Sequence, residues 1–225
     1  MIVSIHQPAY LPWLGYFDKI RRADRFIYLD TVQFQKSSFQ NRNKIRTADG
    51  WTWLTIPVET KGRLFDTPLR DTLINNRIDW RRKHRAAIEM NYRRAPHFAQ
   101  VFPRLSGFYD RDWTYLSALC LEMLRTFSTW LSIPTEIVAA SEMPAIEGTK
   151  SDLVLNLCLA AGATTYLSGS QGRDYLELDK FKAAGIVVEF QDYQHPTYTQ
   201  TYPGFEPNMG LVDLLMCTEN PAARI

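Results

Sequence analysis

The sequence predicts an α/β fold in which βαβ units build a mainly parallel sheet within a single domain, residues 1–225. Near the N-terminus, two short apolar runs flank a helical pattern within about 30 residues, which is typical of a βαβ unit. Helix and strand patterns alternate again from residue 149 to residue 190. Between these regions the pattern is helical, so we interpret residues 78–131 as a helical insertion that covers the sheet.

The first strand is predicted at residues 2–5, an apolar run rich in β-branched residues. It ends before Pro8, which has no N–H to donate to a sheet. A helix with an apolar face follows from Gly15, and a second strand is predicted at residues 25–30. A third strand is predicted at residues 51–58, after a polar, basic stretch that we interpret as a loop over residues 34–48.

In the middle of the chain, residues 59–75 are expected to form loop and short strand, with breaks at Gly62 and Pro68. A basic helix, which we interpret as a charged surface, is predicted over residues 78–93. A second helix is predicted from Asp110, a good N-cap residue, to residue 131.

A strand is also expected at residues 135–139. Thr149 and Asp152 resemble a capping box ahead of a helix that ends at Gly162. The pattern then predicts a strand at 164–168, a helix at 178–184 and a strand at 186–190.

Composition indicates a globular chain, with 45% hydrophobic and 22% charged residues. A net charge of +2 is too close to neutrality to indicate nucleic acid as a partner. The N-terminus lacks the basic and apolar segments of a secretory signal, and no stretch has the length of a membrane span. The three cysteines are widely spaced, as expected for reduced, buried thiols. We therefore expect a cytoplasmic protein, and leave open whether it forms a homodimer.

Polar side chains follow the predicted strands, where ligands bind in open α/β sheets. His6 ends the first strand and is our candidate for proton transfer; the alternative is a core histidine satisfied by backbone hydrogen bonds. Asp192 follows the last strand and is predicted to pair with His6 and hold its tautomer. These two residues are the predicted catalytic residues.

The other candidates are predicted to bind an anionic small-molecule substrate. Residues 36–44 are dense in donors suited to phosphates and hydroxyls, residues 168–172 form a small-residue turn suited to an anion, and aromatic residues could stack on a ring. The alternative for residues 36–44 is a solvated loop, and the alternative for residues 168–172 is an ordinary turn. The aromatic residues could instead belong to the core. The predicted substrate-binding residues are Gln7, Tyr10, Trp13, Gly15, Tyr16, Lys36, Ser37, Asn41, Arg42, Lys44, Ser168, Gly169, Gly172 and His195.

The sequence contains no metal-binding motif, so no metal ligands are predicted, although Mg²⁺ held through substrate phosphates would leave little trace. It identifies no cofactor.

The stretch IHQPAYLPWLGYFDKI, residues 5–20, resembles the N-terminal signature of the WbqC-like family. The similarity continues through residues 36–44, the segment from Asp79 to His84 and residues 164–169, and it ends near Asp213. These are bacterial proteins often encoded among genes for cell-surface polysaccharide, including O-antigen. The resemblance implies a role in making such polysaccharides and implies no mechanism.

The order of strand, proline-rich loop, glycine-aromatic pair and helix is also similar to the nucleotidyltransferase superfamily, where an HxGH-type motif occupies this turn. Residues 13–16 here are WLGY and contain neither histidine. Adenylyl transfer would therefore require His6 to substitute from one turn earlier, and the similarity implies fold only.

Together these observations predict a group transferase that acts on a nucleotide-linked or phosphorylated sugar. The alternative is a non-catalytic ligand-binding or assembly protein of the same pathway. Replacing His6 separates them, because an enzyme would lose turnover while a binding protein would change only in affinity.

Overall fold

A computed structural model describes residues 1–59 and 67–225. The predicted break at Gly62 lies outside the described residues. The strands are β1 (Ile2–His6), β2 (Arg25–Tyr28), β3 (Arg42–Thr47), β4 (Gly50–Thr55), β5 (Glu136–Ala139), β6 (Thr165–Ser168) and β7 (Val187–Phe190). The helices are α1 (Leu14–Arg21), α2 (Trp80–Tyr92), α3 (Phe98–Ser106), α4 (Leu116–Trp130), α5 (Lys150–Ala160), α6 (Leu178–Ala183) and α7 (Leu211–Cys217).

The main sheet has five parallel strands in the order β5-β2-β1-β6-β7, which confirms the predicted α/β class. From β1 the chain first builds outward through β2 and β5, and later returns to the other side of β1 to add β6 and β7. The strand order therefore reverses between β1 and β6. In sheets of this kind, the crevice at the carboxyl ends of those two strands is the usual ligand site.

Helices cover both faces of the main sheet. Phe26 and Tyr28 of β2 share a buried cluster with residues of α1 and α4. Val3 and Ile5 of β1 point to the opposite face, where they pack with α5 and α6. Because side chains alternate along a strand, His6 lies on the same side of β1 as Ser4, and its ring contacts residues at the start of α1. None of the described helices is long and apolar enough to cross a membrane.

The predicted third strand is real but does not join the main sheet. β4 pairs antiparallel with β3 in a separate hairpin, and β3 falls within the stretch predicted to be a loop. The prediction of a loop was therefore wrong. Ile45 is the only apolar residue of β3, so the sequence shows no apolar pattern that would indicate a strand there. Its inward positions include Asn43, whose buried side chain donates to the carbonyl oxygen of Leu11.

The helical region also differs from its prediction. α3 was not predicted, because Pro96 and Pro103 both suggest helix ends, yet Pro103 lies inside α3. α4 begins at Leu116 rather than at Asp110, whose carboxylate instead pairs with Arg85 of α2. Thr149 precedes α5 as expected, but its side chain makes no capping hydrogen bond.

Candidate functional site

His6 lies at the carboxyl end of the central strand, at the point where the strand order reverses. Its Nδ1 is 2.9 Å from the carbonyl oxygen of Gln7. Since a carbonyl oxygen only accepts, Nδ1 carries the proton and Nε2 has the free lone pair of a base. The described residues offer Nε2 no hydrogen-bond partner. The ring is half-buried against Trp13 and Tyr16, with centroids 5.4 and 4.7 Å away.

Burial, reinforced by the nearby charge of Lys19, lowers the pKa of His6 to about 3. The imidazole is therefore neutral at physiological pH. A neutral ring with a free Nε2 can accept a proton from a substrate hydroxyl or amine, or accept a hydrogen bond from it.

Lys19 is a site residue that the sequence did not indicate. It lies on α1 and is only 2% exposed, and its Nζ donates to the carbonyl oxygen of Ile5 at 3.0 Å. No carboxylate among the described residues lies within ion-pair distance of it. Burial lowers the pKa of Lys19 to about 7. A partly charged, unneutralised amine thus lies beneath the carboxyl end of β1, close to His6.

The loop over residues 35–41 lies directly beside His6. The Gln40 side-chain amide donates to Gln7 Oε1 at 2.7 Å, and the backbone N–H of Tyr10 donates to the carbonyl oxygen of Phe39 at 3.1 Å. These bonds place the Phe39 ring 5.6 Å from that of Trp13. The structure therefore brings together His6, Gln7 and Trp13 with the loop that leads into β3.

The predicted donors of residues 36–44 divide into three groups. Lys36 and Ser37 are exposed in the loop. Asn41 is buried, and its side-chain amide holds the carbonyl oxygen of Ile56, which is a structural contact. Arg42 and Lys44 lie on the outer face of the hairpin, where their charges could meet an anion.

Two predicted tyrosines lie in the core. Tyr10 is fully buried, and its hydroxyl lies 2.8 Å from both His84 Nδ1 and the Tyr109 hydroxyl. Tyr16 is also buried and donates to the carbonyl oxygen of Gln7 at 3.0 Å. Its ring packs against the imidazole of His6, with the ring centroids 4.7 Å apart. In this arrangement both side chains hold the loop around His6, and neither faces solvent.

The segment after β7 lies against the start of α1. Gln191 donates to the carbonyl oxygen of Gly15 at 2.8 Å and to the Asp18 carboxylate at 2.6 Å. The Tyr193 ring covers Gly15 so closely that an added Cβ would lie 2.8 Å from it. Gly15 thus makes room for an aromatic ring, and a phosphate approaching on this side would have to displace it.

The predicted pairing of Asp192 with His6 is not formed. Asp192 is exposed and accepts from Gln194 at 3.4 Å, while the carbonyl oxygen of Gln7 holds His6 Nδ1. His195 donates through Nδ1 to the carbonyl oxygen of Pro196, and its Nε2 is buried without a hydrogen-bond partner in the described part of the chain. The ring of His195 packs against that of Tyr198, 6.3 Å away.

The turn after β6 is at the same sheet edge. The Ser168 hydroxyl donates to the carbonyl oxygen of Gly169 at 3.1 Å and lies directly beneath Gly172. A Cβ at Gly172 would overlap that hydroxyl, so the glycine is required for the tight turn. Gly169 itself has open space around it, which leaves its backbone approachable.

The basic helix α2 offers fewer free charges than its sequence suggests. Three of its arginines pair with aspartates: Arg81 with Asp112, Arg82 with Asp79, and Arg85 with Asp110. In the described part of the chain, no group of three or more His, Cys, Asp or Glu residues is arranged to hold a metal ion.

Comparison with known proteins identifies a family. A model of the WbqC-like protein family matches residues 7–225, which begins directly after His6. An uncharacterized protein of Mycobacterium tuberculosis is 39% identical over 215 residues, covering 95% of this chain and 92% of the relative. No solved structure matches the chain.

Proposed function

Because the chain belongs to the WbqC-like protein family, we propose that it is a cytoplasmic group transferase in cell-surface polysaccharide synthesis. Its substrate would be a nucleotide-linked or phosphorylated sugar. The observation that carries the proposal is the neutral imidazole of His6, with a free Nε2, at the carboxyl edge of the sheet. The family setting supplies the class of substrate, and the base supplies the class of reaction.

In the proposed reaction, a hydroxyl or amino group of the acceptor attacks the group carried by the donor. The new bond forms as the bond to the leaving group breaks with its electron pair. The acceptor's proton passes to His6 Nε2 and is then returned to the leaving group or to water. Gln7 and Trp13 would orient the acceptor, while Arg42 and Lys36 would hold phosphate oxygens of the donor. The turn at residues 168–172 would bind a second anionic group.

The negative charge of the substrate would also change the pKa of His6. With a pKa of about 3, His6 is a weak base in the free protein. A bound phosphate would offset the positive charge of Lys19 and favour the protonated imidazole. The pKa of His6 would then rise by the part that the charge of Lys19 causes, while the larger effect of burial would remain. Proton transfer would thus depend on an anionic substrate.

A thermal-shift panel of nucleotides, nucleotide sugars and sugar phosphates, with and without Mg²⁺, is the first test. A ligand at 100 times its Kd should stabilise the protein by about 2.7 kcal/mol. The hit should weaken in Arg42→Ala and persist in Arg85→Ala, the matched control, because Arg85 is already paired with Asp110. A panel without any hit would contradict the proposed substrate class.

Turnover then separates the enzyme from a binding protein. His6→Ala should lower the rate by about 10²–10⁴-fold while ligand affinity largely survives. The opposite result would be a His6→Ala variant that loses ligand affinity, together with an unmodified protein that shows no measurable turnover. That result would indicate a binding or assembly protein.

A further inference from the structure

Five neighbouring rings run from the candidate site out along the β3–β4 hairpin. We call them the aromatic strip: His6, Trp13, Phe39, Trp53 and Trp51. Centroids of successive rings are 5.4, 5.6, 5.8 and 5.5 Å apart. The strip is therefore continuous, with one end at the proposed base and the other at the hairpin.

The outer part of the strip faces solvent. Trp51 is 42% exposed and Phe39 is 44% exposed, whereas Trp53 and Trp13 are half-buried. The opposite face of the hairpin is the one that packs into the protein, through Ile45 and Leu54. Large aromatic side chains grouped on the outer face contribute little to the core, and such grouping marks binding surfaces.

Two cations lie on this face without a carboxylate partner in the described parts of the chain. The Arg42 guanidinium lies 4.3 Å from the Trp53 ring centroid, and Lys44 Nζ lies 4.2 Å from that of Trp51. Arg42 Nη2 donates to the carbonyl oxygen of Ser37, whereas its Nε is buried and has no hydrogen-bond partner among the described residues. The arginines of α2, in contrast, are paired with aspartates. The hairpin end of the strip therefore has free positive charge beside exposed aromatic rings.

We propose that the aromatic strip binds an acidic saccharide chain, one that carries uronate or phosphate groups. Its sugar rings would pack their C–H faces on Trp51, Trp53 and Phe39. Its anionic groups would be held by Lys44, which lies over Trp51 at the outer end of the strip, while Arg42 would remain for the phosphate proposed above. That the chain end reaches His6 as the acceptor rests on the proposed function, whereas binding to the strip does not.

The ring orientations favour a saccharide over single-stranded nucleic acid. Successive planes in the strip are inclined by 51° to 79°. Consecutive bases of a strand stack parallel to one another, so they would have to splay apart to follow these rings. Among the described residues, cations lie over the rings of the strip only at Trp53 and Trp51, whereas a nucleic acid strand has one charge per nucleotide. A sugar chain has neither requirement.

The test measures binding of an oligouronate tetrasaccharide by tryptophan fluorescence and calorimetry. A neutral glucose tetrasaccharide, the uronate monosaccharide and a short oligothymidylate serve as comparisons. The acidic tetrasaccharide should bind at least tenfold more tightly than each of the three. Trp51→Ala should weaken its binding about tenfold, and Lys44→Gln should weaken it several-fold. Tyr115→Ala is the matched control, because Tyr115 is a similarly exposed ring, 45%, outside the strip.

Four outcomes would overturn the proposal: no saturable binding of the acidic tetrasaccharide, equal binding of the neutral one, tighter binding of oligothymidylate, or no effect of Trp51→Ala. If Trp51→Ala does not fold, Trp53→Phe and Lys44→Gln decide in its place. His6→Ala separates the two proposals. If it abolishes turnover while Trp51→Ala leaves binding unchanged, the transferase stands and the strip fails. If the strip binds the acidic tetrasaccharide but the protein shows no turnover, the proposal for the strip stands and the proposed transferase function fails.

Discussion

His6 is half-buried and Lys19 is buried, and the positive charge of Lys19 opposes a proton on His6. Burial disfavours the charged form of each side chain, and the charge of Lys19 further disfavours a proton on His6. Neither has a carboxylate partner among the described residues. A negative charge delivered by a ligand would therefore favour protonation of both. The pair would therefore favour the anionic substrate that we propose for this site.

The first prediction concerns the imidazole of His6. Its pKa, measured from ring-proton chemical shifts, should lie near 3 and should rise in Lys19→Met, because the opposing charge is removed while the burial remains. It should also rise when an anionic ligand binds. His84 is the internal control, since burial alone lowers its pKa, to about 4, and it should not respond to Lys19→Met. A His6 pKa near 6.5 in the folded protein would contradict this account.

The second prediction concerns the stability contributed by Lys19. Its folded pKa of about 7 lies below the unfolded value of 10.5, so between these values the unfolded chain binds more protons. The free energy of unfolding from this group therefore rises with pH across that range, by up to a few kcal/mol. Urea denaturation at pH 6.5 and pH 9 measures this effect. The free energy of unfolding of the wild type should rise relative to that of Lys19→Met between the two pH values. A difference that is the same at both pH values would refute it.

At the scale of elements, the βαβ unit and the final helix and strands could be predicted because their apolar residues repeat with a helical or strand period. β3 could not, because its buried positions include polar residues. Arg46, for example, is 3% exposed and donates to the carbonyl oxygens of Thr47, Gly50 and Pro203. A charged residue of this kind indicates a loop in the sequence, because the carbonyl groups that it contacts in the folded protein cannot be identified from the sequence.

The candidate site was predictable to the extent that it follows strand ends. His6 and Gln7 could be placed because Pro8 ends β1. Lys19 could not be predicted, nor could the outer rings of the aromatic strip, Phe39, Trp53 and Trp51. A lysine on a short helix normally reaches solvent, and the contact of Trp53 with Phe39 joins two elements whose pairing the sequence does not specify. Tyr10 was placed in the loop after β1 and Tyr16 at the start of the first helix, as observed, but only the packing shows that their rings are buried.

The third prediction concerns how the segment after β7 packs on α1. Gly15→Ala would put a methyl group 2.8 Å from the Tyr193 ring and should cost about 1–3 kcal/mol in chemical denaturation. Gly169→Ala is the control, because open space surrounds Gly169. In a double-mutant cycle, Tyr193→Ala should remove most of the penalty of Gly15→Ala. Additive effects would mean that the ring does not occupy this position in solution.

At the scale of the whole molecule, Asp213 of α7 joins distant parts of the chain. It is 1% exposed and accepts from the hydroxyls of Tyr92 and Tyr198 at 2.8 and 2.7 Å, and from Gln200 at 2.8 Å. The Tyr92 hydroxyl in turn accepts from the backbone N–H of Arg46 at 2.9 Å. One carboxylate thus connects the C-terminal helix, α2, the segment after β7 and the hairpin that bears the aromatic strip.

The last prediction follows from this network. Asp213→Ala leaves the hydroxyls of Tyr92 and Tyr198 without this acceptor and removes one of the two hydrogen bonds of Gln200 Nε2, so it should lower the free energy of unfolding by about 3 kcal/mol. Asp213→Asn keeps one acceptor oxygen and should cost less. Asp192→Ala, an exposed aspartate, should change stability by less than about 0.5 kcal/mol. Hydrogen exchange should accelerate in Asp213→Ala at the hairpin, including the Arg46 amide, more than at the central strand β1. If exchange in the hairpin were unchanged, the hairpin would be held by its packing alone, and the aromatic strip would keep its geometry without the carboxylate.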